Sequence, residues 1–302
     1  MKASAGRDED RDIAHLHPSE MVKDDWCPQR SYFRIMDAEK ETTDANPSFR
    51  MQSAFASGHD AHKKWQRWLS EMGILWGKWK CGCDSTVMGA FTPFDRCRVC
   101  MEKWRYVEVP FEDEEYLIWG HADGLVILNA GGSYLIEIKT IGIGTLRFEA
   151  PILYEKLQNG VLTVDQVWSA IRKPFASHRM QAQFYLWLLQ RQYPEFANVS
   201  EMLFIYEWKP DGAVKEFRIG ATESVIAPKL ELAREVANHV NHGIQYRERP
   251  DWAAPDGHVC SSCEYRSICW DIVEVDDGAT PTGVSVRRST GRGGKRTRVA
   301  AA

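Results

Sequence analysis

The stretch GHADGLVILNAGGSYLIEIKT, residues 120–140, contains two apolar runs separated by Asn129-Ala130-Gly131-Gly132. Such a break between β-prone segments signals a hairpin or meander. Asp123 stands just before the first run, and Glu137 and Lys139 are two apart on the second. Alternation along a strand puts Glu137 and Lys139 on one face, and the hairpin brings Asp123 to them. Their neighbours Tyr134, Leu135, Ile136 and Ile138 are apolar. An acid and a base in that setting are costly to bury unless paired or bound to a metal. Two carboxylates suit a hard cation such as Mg²⁺ or Mn²⁺, with the Ile138 carbonyl between them as a further oxygen ligand. Lys139 would then lie beside a metal-bound water. The alternative is a pair of ordinary polar positions on a half-exposed strand, since E-x-K alone is a common spacing.

Outward from this hairpin, strand-like segments precede it at 104–109 and 116–120, and others follow at 202–208 and 214–219. Helical periodicity marks about 47–71, capped by Asn46 with Pro47 in the first position, and about 177–192 and 222–242. The fold class expected is α/β, more fully α+β: a mixed sheet flanked by helices. Residues 1–20 are polar and charged and read as a flexible N-terminus. Residues 277–302, rich in Gly, Ser, Thr and Arg, read as a disordered basic tail.

The chain has 302 residues and a net charge of −4, so it shows no global basic excess. Nucleic-acid contact would have to come from local patches. No apolar run is long enough to span a bilayer, and the N-terminus lacks the apolar core of a signal peptide. The expectation is a cytoplasmic protein without a membrane partner.

Eight cysteines in that compartment point to metal ligation rather than disulfides. Cys81-x-Cys83 and Cys97-x₂-Cys100 resemble a zinc knuckle or ribbon, inserted at 77–103. Cys260-x₂-Cys263-x₅-Cys269 offers three thiols, for which Cys27 can supply the fourth. Zinc and an iron–sulfur cluster accept the same four thiolates. Linking residue 27 to 258–270 would close a very long loop and stabilise the fold in the chain-entropy picture.

The order G-x-x-x-H at 58–62, G-x-A-D-G at 120–124, E-I-K at 137–139 and Q-x-x-x-Y at 181–185 resembles the RecB-like nucleases of the PD-(D/E)XK superfamily. The resemblance implies a restriction-endonuclease-like core over residues 21–276. It makes His62, Asp123 and Glu137 metal ligands, Lys139 catalytic, and Gln181 and Tyr185 supporting or DNA-contacting residues. The context WCPQRSYF around Cys27 is similar to the opening of family members that hold a [4Fe–4S] cluster, such as CRISPR-associated adaptation nucleases and the AddB nuclease subunit. It implies a Cys27, Cys260, Cys263, Cys269 cluster site beside a Zn²⁺ site.

Tryptophans interleaved with bases in KKWQRWL, residues 63–69, could stack single-stranded bases, with Lys63, Lys64 and Trp65 as DNA contacts. His178 and Arg179, one turn before Gln181, could add a phosphate contact. The expected activity is a Mg²⁺- or Mn²⁺-dependent deoxyribonuclease. It would be an exonuclease on single-stranded DNA or DNA ends, in recombination, replication or repair. Similarity to stand-alone phage-encoded versions would place it in the host cytoplasm. The chain carries no GxxxxGK[ST] motif, so unwinding would fall to a helicase or recombinase partner. The alternatives are an adaptor that binds DNA ends within a recombination or spacer-acquisition complex, and a structure-specific endonuclease.

Overall fold

A computed structural model describes residues 12–40, 48–92, 94–129 and 131–274. They divide into two compact units, one made of 12–26 with 48–237 and the other of 27–40 with 238–274. The basic tail and the Asn46-Pro47 helix start lie outside the described residues.

In chain order the elements are α1 (Pro18–Met21), α2 (Pro28–Ile35), α3 (Phe49–Glu71), β1 (Leu75–Lys80), β2 (Thr86–Ala90), β3 (Arg105–Tyr106), β4 (Val109–Asp113), β5 (Ile118–Ala122), β6 (Gly124–Ile127) and β7 (Ser133–Ile141). There follow α4 (Ile143–Glu149), α5 (Pro151–Gln158), α6 (Val164–Ala170), α7 (Ala176–Gln192), β8 (Glu201–Trp208), β9 (Val214–Gly220), α8 (Ala227–His242) and α9 (Arg266–Glu274). The main sheet of the first unit runs β2-β1-β6-β7-β8-β9, with β3 also on β1, while β4 and β5 form a separate ribbon. Among the described strands, only β7 and β8 pair in parallel and the other strand pairs are antiparallel. This is the expected mixed sheet flanked by helices.

A parallel pair needs a crossover, which here runs through α4 to α7. That return lays α7 on β4, β7 and β8, while α3 packs on β7 and β1. The hairpin of residues 120–140 is present as β6–β7, with Gly131 and Gly132 in the left-handed region at φ 88° and 104°. Ser48 caps α3 by accepting from Met51 N–H (3.3 Å). The irregular start expected through residue 20 ends earlier. Leu16 bridges Ile118 and is fully buried, and α1 follows it, because one apolar side chain there finds a place on the ribbon. The strand expected at 104–109 is present only as β3, because the chain breaks at Glu108 with φ 73°, and beyond the expected elements β1, β2, β4, α1, α2, α4–α6 and α9 are present. No described helix is long and apolar enough to cross a membrane.

The second unit has an aromatic centre in which Tyr32 meets Tyr246 and Phe33 meets Tyr265, with ring centroids 6.2 and 5.6 Å apart. In the first unit, Gly124 sits where a Cβ would fall 2.5 Å from Leu75 Cδ1 and 3.1 Å from Ile136 Cδ1. Both neighbours are fully buried and cannot retreat into solvent. Gly124→Ala should therefore cost about 1–3 kcal/mol of stability by overpacking. Urea unfolding would measure it, and an unchanged midpoint would contradict this account of the glycine.

Candidate active site

Asp123 lies at the break between β5 and β6, where the chain passes from the ribbon into the main sheet. Opposite it, β7 carries Glu137 and Lys139 on one face. Asp123 and Glu137 are only 6% and 4% exposed. One Asp123 oxygen accepts from the Ile138 N–H (2.6 Å), and the other lies 2.9 Å from His62 Nδ1 on α3. Lys139 Nζ is 2.7 Å from Glu137 Oε1 and donates to Gln181 Oε1 at 2.9 Å. Gln181 Nε2 in turn donates to Tyr185 OH (3.3 Å), one turn on along α7. A Cβ at Gly120 would sit tightly, 3.1 Å from Pro18 Cδ, and at ordinary contact, 3.4 Å, from Tyr185 Cε1.

The structure thus gathers His62, Asp123, Glu137, Lys139, Gln181 and Tyr185 into one connected set. His59, the competing histidine on α3, is exposed.

A third carboxylate joins them. Glu108 has a ligand oxygen within 4.8 Å of those of His62 and Asp123. Gln66 on α3 tethers it with a 3.3 Å hydrogen bond and also donates to the Asp123 carbonyl. Its backbone is left-handed at φ 73°, a conformation that costs of order 1–3 kcal/mol outside glycine. Sequence reasoning passed over Glu108. The available signal was an acid set between two β-branched residues, Val107 and Val109.

Negative charge is in excess here. Burial, countered by Lys139 and reinforced by Asp123, raises Glu137 to about 7. Burial and then the charge of Asp123 raise Glu108 to about 7. Burial opposes charging His62, yet the hydrogen bond and charge of Asp123 outweigh it and raise its pKa. Lys139 is likewise disfavoured by burial but raised by its contact with Glu137. Glu137 Oε2 is buried with no hydrogen-bond partner among the described residues. The ligand atoms of His62, Glu108 and Asp123 lie within 4.8 Å of one another, a donor set that fits a hard divalent cation, and Glu137 is not in that group.

The other expected DNA contacts fall elsewhere. Lys64 Nζ and Trp65 Nε1 both donate to Glu207 on β8, at 2.6 and 2.7 Å. Lys63 is exposed, and so is Trp68 at 40%, with the Lys64 ammonium 5.4 Å from its ring centre. His178 bonds to Tyr206 OH among Phe175 and Phe204, and burial drives it down to about 2. Arg179 donates to the Pro174 carbonyl at 2.7 Å.

The cysteines form two groups of different geometry. Cys81, Cys83, Cys97 and Cys100 have all their sulfurs within 4.8 Å of one another. Asp84 and Met101, each directly after the second cysteine of a pair, are left-handed at φ 62° and 63°, which turns each pair tightly inward. Four thiols so placed suit one tetrahedral zinc ion. In the second unit, Cys27, Cys260, Cys263 and Cys269 line one recess. Among the described residues they do not form a group with ligand atoms within 4.8 Å. Burial pushes the Cys27 thiol up to about 11.

Residues 166–270 match the family model of the PD-(D/E)XK nuclease superfamily. The matched span of this nuclease model takes in Gln181, Tyr185 and the three late cysteines, and His62, Asp123, Glu137 and Lys139 lie before it. The fold is consistent with that of PD-(D/E)XK nucleases, which use divalent metals. Among solved structures, the chain is similar to an alkaline exonuclease, LHK-Exo, from Laribacter hongkongensis, with 14% identity, a TM-score of 0.41, and coverage of 78% of this chain and 91% of that one. The same exonuclease in complex with dAMP gives 13% identity, a TM-score of 0.37 and the same coverage. A structure named SSO0001 gives 15% identity, a TM-score of 0.35, and coverage of 86% and 88%. No curated protein sequence matches the chain.

If the buried donors hold a cation, Mn²⁺ will stabilise the folded state by roughly 2.7 kcal/mol at a hundredfold excess over its Kd. Thermal melts should show a rise in Tm for the wild type that Asp123→Asn loses. A wild-type Tm indifferent to Mn²⁺ would refute the site.

Proposed function

We propose that the chain is a metal-dependent deoxyribonuclease that hydrolyses phosphodiesters, acting as an exonuclease on single-stranded DNA or DNA ends. The observation that carries this reading is the pair of buried carboxylates, Asp123 and Glu137, set against the half-buried His62 and Lys139, with Glu137 Oε2 left unpartnered among the described residues. The match to a nuclease family over residues 166–270 supports it independently.

His62, Asp123 and Glu137, with the Ile138 carbonyl, would hold a Mg²⁺ or Mn²⁺ ion. Such an ion, when bound, polarises the phosphodiester and lowers the pKa of a water molecule. Lys139 has three N–H donors, of which two go to Glu137 and Gln181. The third is left for the attacking water or a phosphate oxygen, where a fixed positive charge stabilises the developing negative charge. Gln181 holds the lysine in place, and Tyr185 holds Gln181, so these two are positioning residues. Ile138 N–H fixes one oxygen of Asp123 and leaves the other turned to His62. Support for a single-stranded substrate comes from Trp68, whose side chain is 40% exposed.

We further read Cys81, Cys83, Cys97 and Cys100 as a zinc site, and Cys27, Cys260, Cys263 and Cys269 as the ligands of an iron–sulfur cluster. The wider spacing of the second group around a recess favours a polynuclear centre over one ion.

With Mn²⁺ and end-labelled single-stranded oligonucleotides, wild-type protein purified anaerobically should release short products, and Lys139→Ala should lose activity by at least about a hundredfold. Equal and negligible cleavage by both would end the nuclease reading. Circular single-stranded DNA should stay intact; its cleavage would instead identify an endonuclease. The same preparation should be brown and contain iron together with one zinc per chain, whereas a colourless protein with two zinc ions would defeat the cluster assignment.

A further inference from the structure

The recess lined by Cys27, Cys260, Cys263 and Cys269 is also lined by Arg249 and Tyr265. Each carries a buried donor with no hydrogen-bond partner among the described residues, Nε of Arg249 and OH of Tyr265. The rest of the Arg249 guanidinium is fixed. Its Nη2 donates to the Cys269 carbonyl, and the group lies 3.9 Å from the centre of the Trp270 ring. Gln29 Oε1 is already taken up by the Cys269 thiol at 3.1 Å, and the nearby Arg30 is paired with Glu264 at 2.8 Å. The four cysteine sulfurs line the same recess as these two donors.

A buried guanidinium with an unsatisfied N–H is costly unless a negative group meets it. Four thiolates around a metal centre leave that centre net negative, and its sulfurs accept hydrogen bonds. Such bonds are known to shift the reduction potential of thiolate-ligated clusters.

We propose that Arg249 and Tyr265 are donors to the metal centre of the Cys27, Cys260, Cys263, Cys269 site, hydrogen-bonding its sulfurs and, through the Arg249 charge, stabilising its more negative, reduced state. This rests on the reading that those four thiols hold a metal centre. Arg249 and Tyr265 are tuning residues that touch the centre's sulfurs and leave cleavage chemistry to the first unit.

The test uses the full chain, purified anaerobically as wild type, Arg249→Gln, Arg249→Lys and Tyr265→Phe, with folding checked by circular dichroism. Spectroelectrochemical titration reads the potential of the centre. Arg249→Gln should lower it by at least about 59 mV, a tenfold change in a one-electron equilibrium. Tyr265→Phe should shift it less in the same direction, and Arg249→Lys, which keeps the charge, should fall between wild type and Arg249→Gln. Potentials unchanged in both Arg249→Gln and Tyr265→Phe, with the cluster intact, would overturn the proposal and leave the cluster reading standing. If wild-type protein is colourless and binds zinc at this site, the cluster reading fails. The donor proposal is then judged by the rate of zinc release to a chelator: a tenfold acceleration in Arg249→Gln supports it, and an unchanged rate overturns it.

Discussion

Glu137 cannot be both buried and ionised without help, and much of the first unit is arranged around that constraint. Lys139 neutralises one oxygen at 2.7 Å, but the second has no partner among the described residues. Removing one member of a buried pair typically costs 3–5 kcal/mol, whereas an apolar replacement of both is often neutral. Packing alone would therefore favour two apolar residues at these positions. What keeps the acid and base useful is their position on β7, the strand with β6 on one side and a parallel partner, β8, on the other. Because parallel pairing demands a crossover, α7 returns over β7, and Gln181 descends onto Lys139. The hydrogen bonds that hold the lysine thus follow from the topology of the sheet.

The hairpin at 120–140, α7, β8, β9 and the long α8 could be read from the sequence because each has local periodicity and a clear turn or helical repeat. Other elements lacked one. In β1, Trp76, Lys78 and Lys80 alternate with Gly77 and Trp79, a pattern that also describes a basic aromatic patch on a surface. Its place in the sheet is settled by non-local pairing with β2, β3 and β6. The crossover helices α4 to α6 are short. A capping box at Thr163 and Gln166 and a proline at the start of α5 do mark helix starts, yet seven- or eight-residue helices carry too few repeats to stand out.

Within the candidate site the division follows the same logic. Spacing along one strand relates Glu137 to Lys139, and spacing along one helix relates Gln181 to Tyr185. No spacing relates Lys64 and Trp65 to Glu207, which stands more than 140 residues away and takes both of their donors. A lysine and tryptophan that look free for nucleic acid are in fact the attachment of α3 to β8. That attachment has a consequence for the metal donors, since His62 lies on the same turn of α3 as Lys64.

Glu108 connects the cysteine knuckle to the same site. The backbone after β3 is tied to β1 by reciprocal hydrogen bonds, Lys78 N–H to the Glu108 carbonyl and Val107 N–H to the Lys78 carbonyl, each 2.8 Å. Cys81 follows β1 directly, and Cys100 lies a few residues before β3. Four thiols drawn together therefore fix the ends of both strands from which Glu108 is held in its left-handed conformation. A strained backbone persists only where its surroundings over-determine it. Any ion that draws those thiols together would help to hold one carboxylate in a conformation that its backbone alone would not choose.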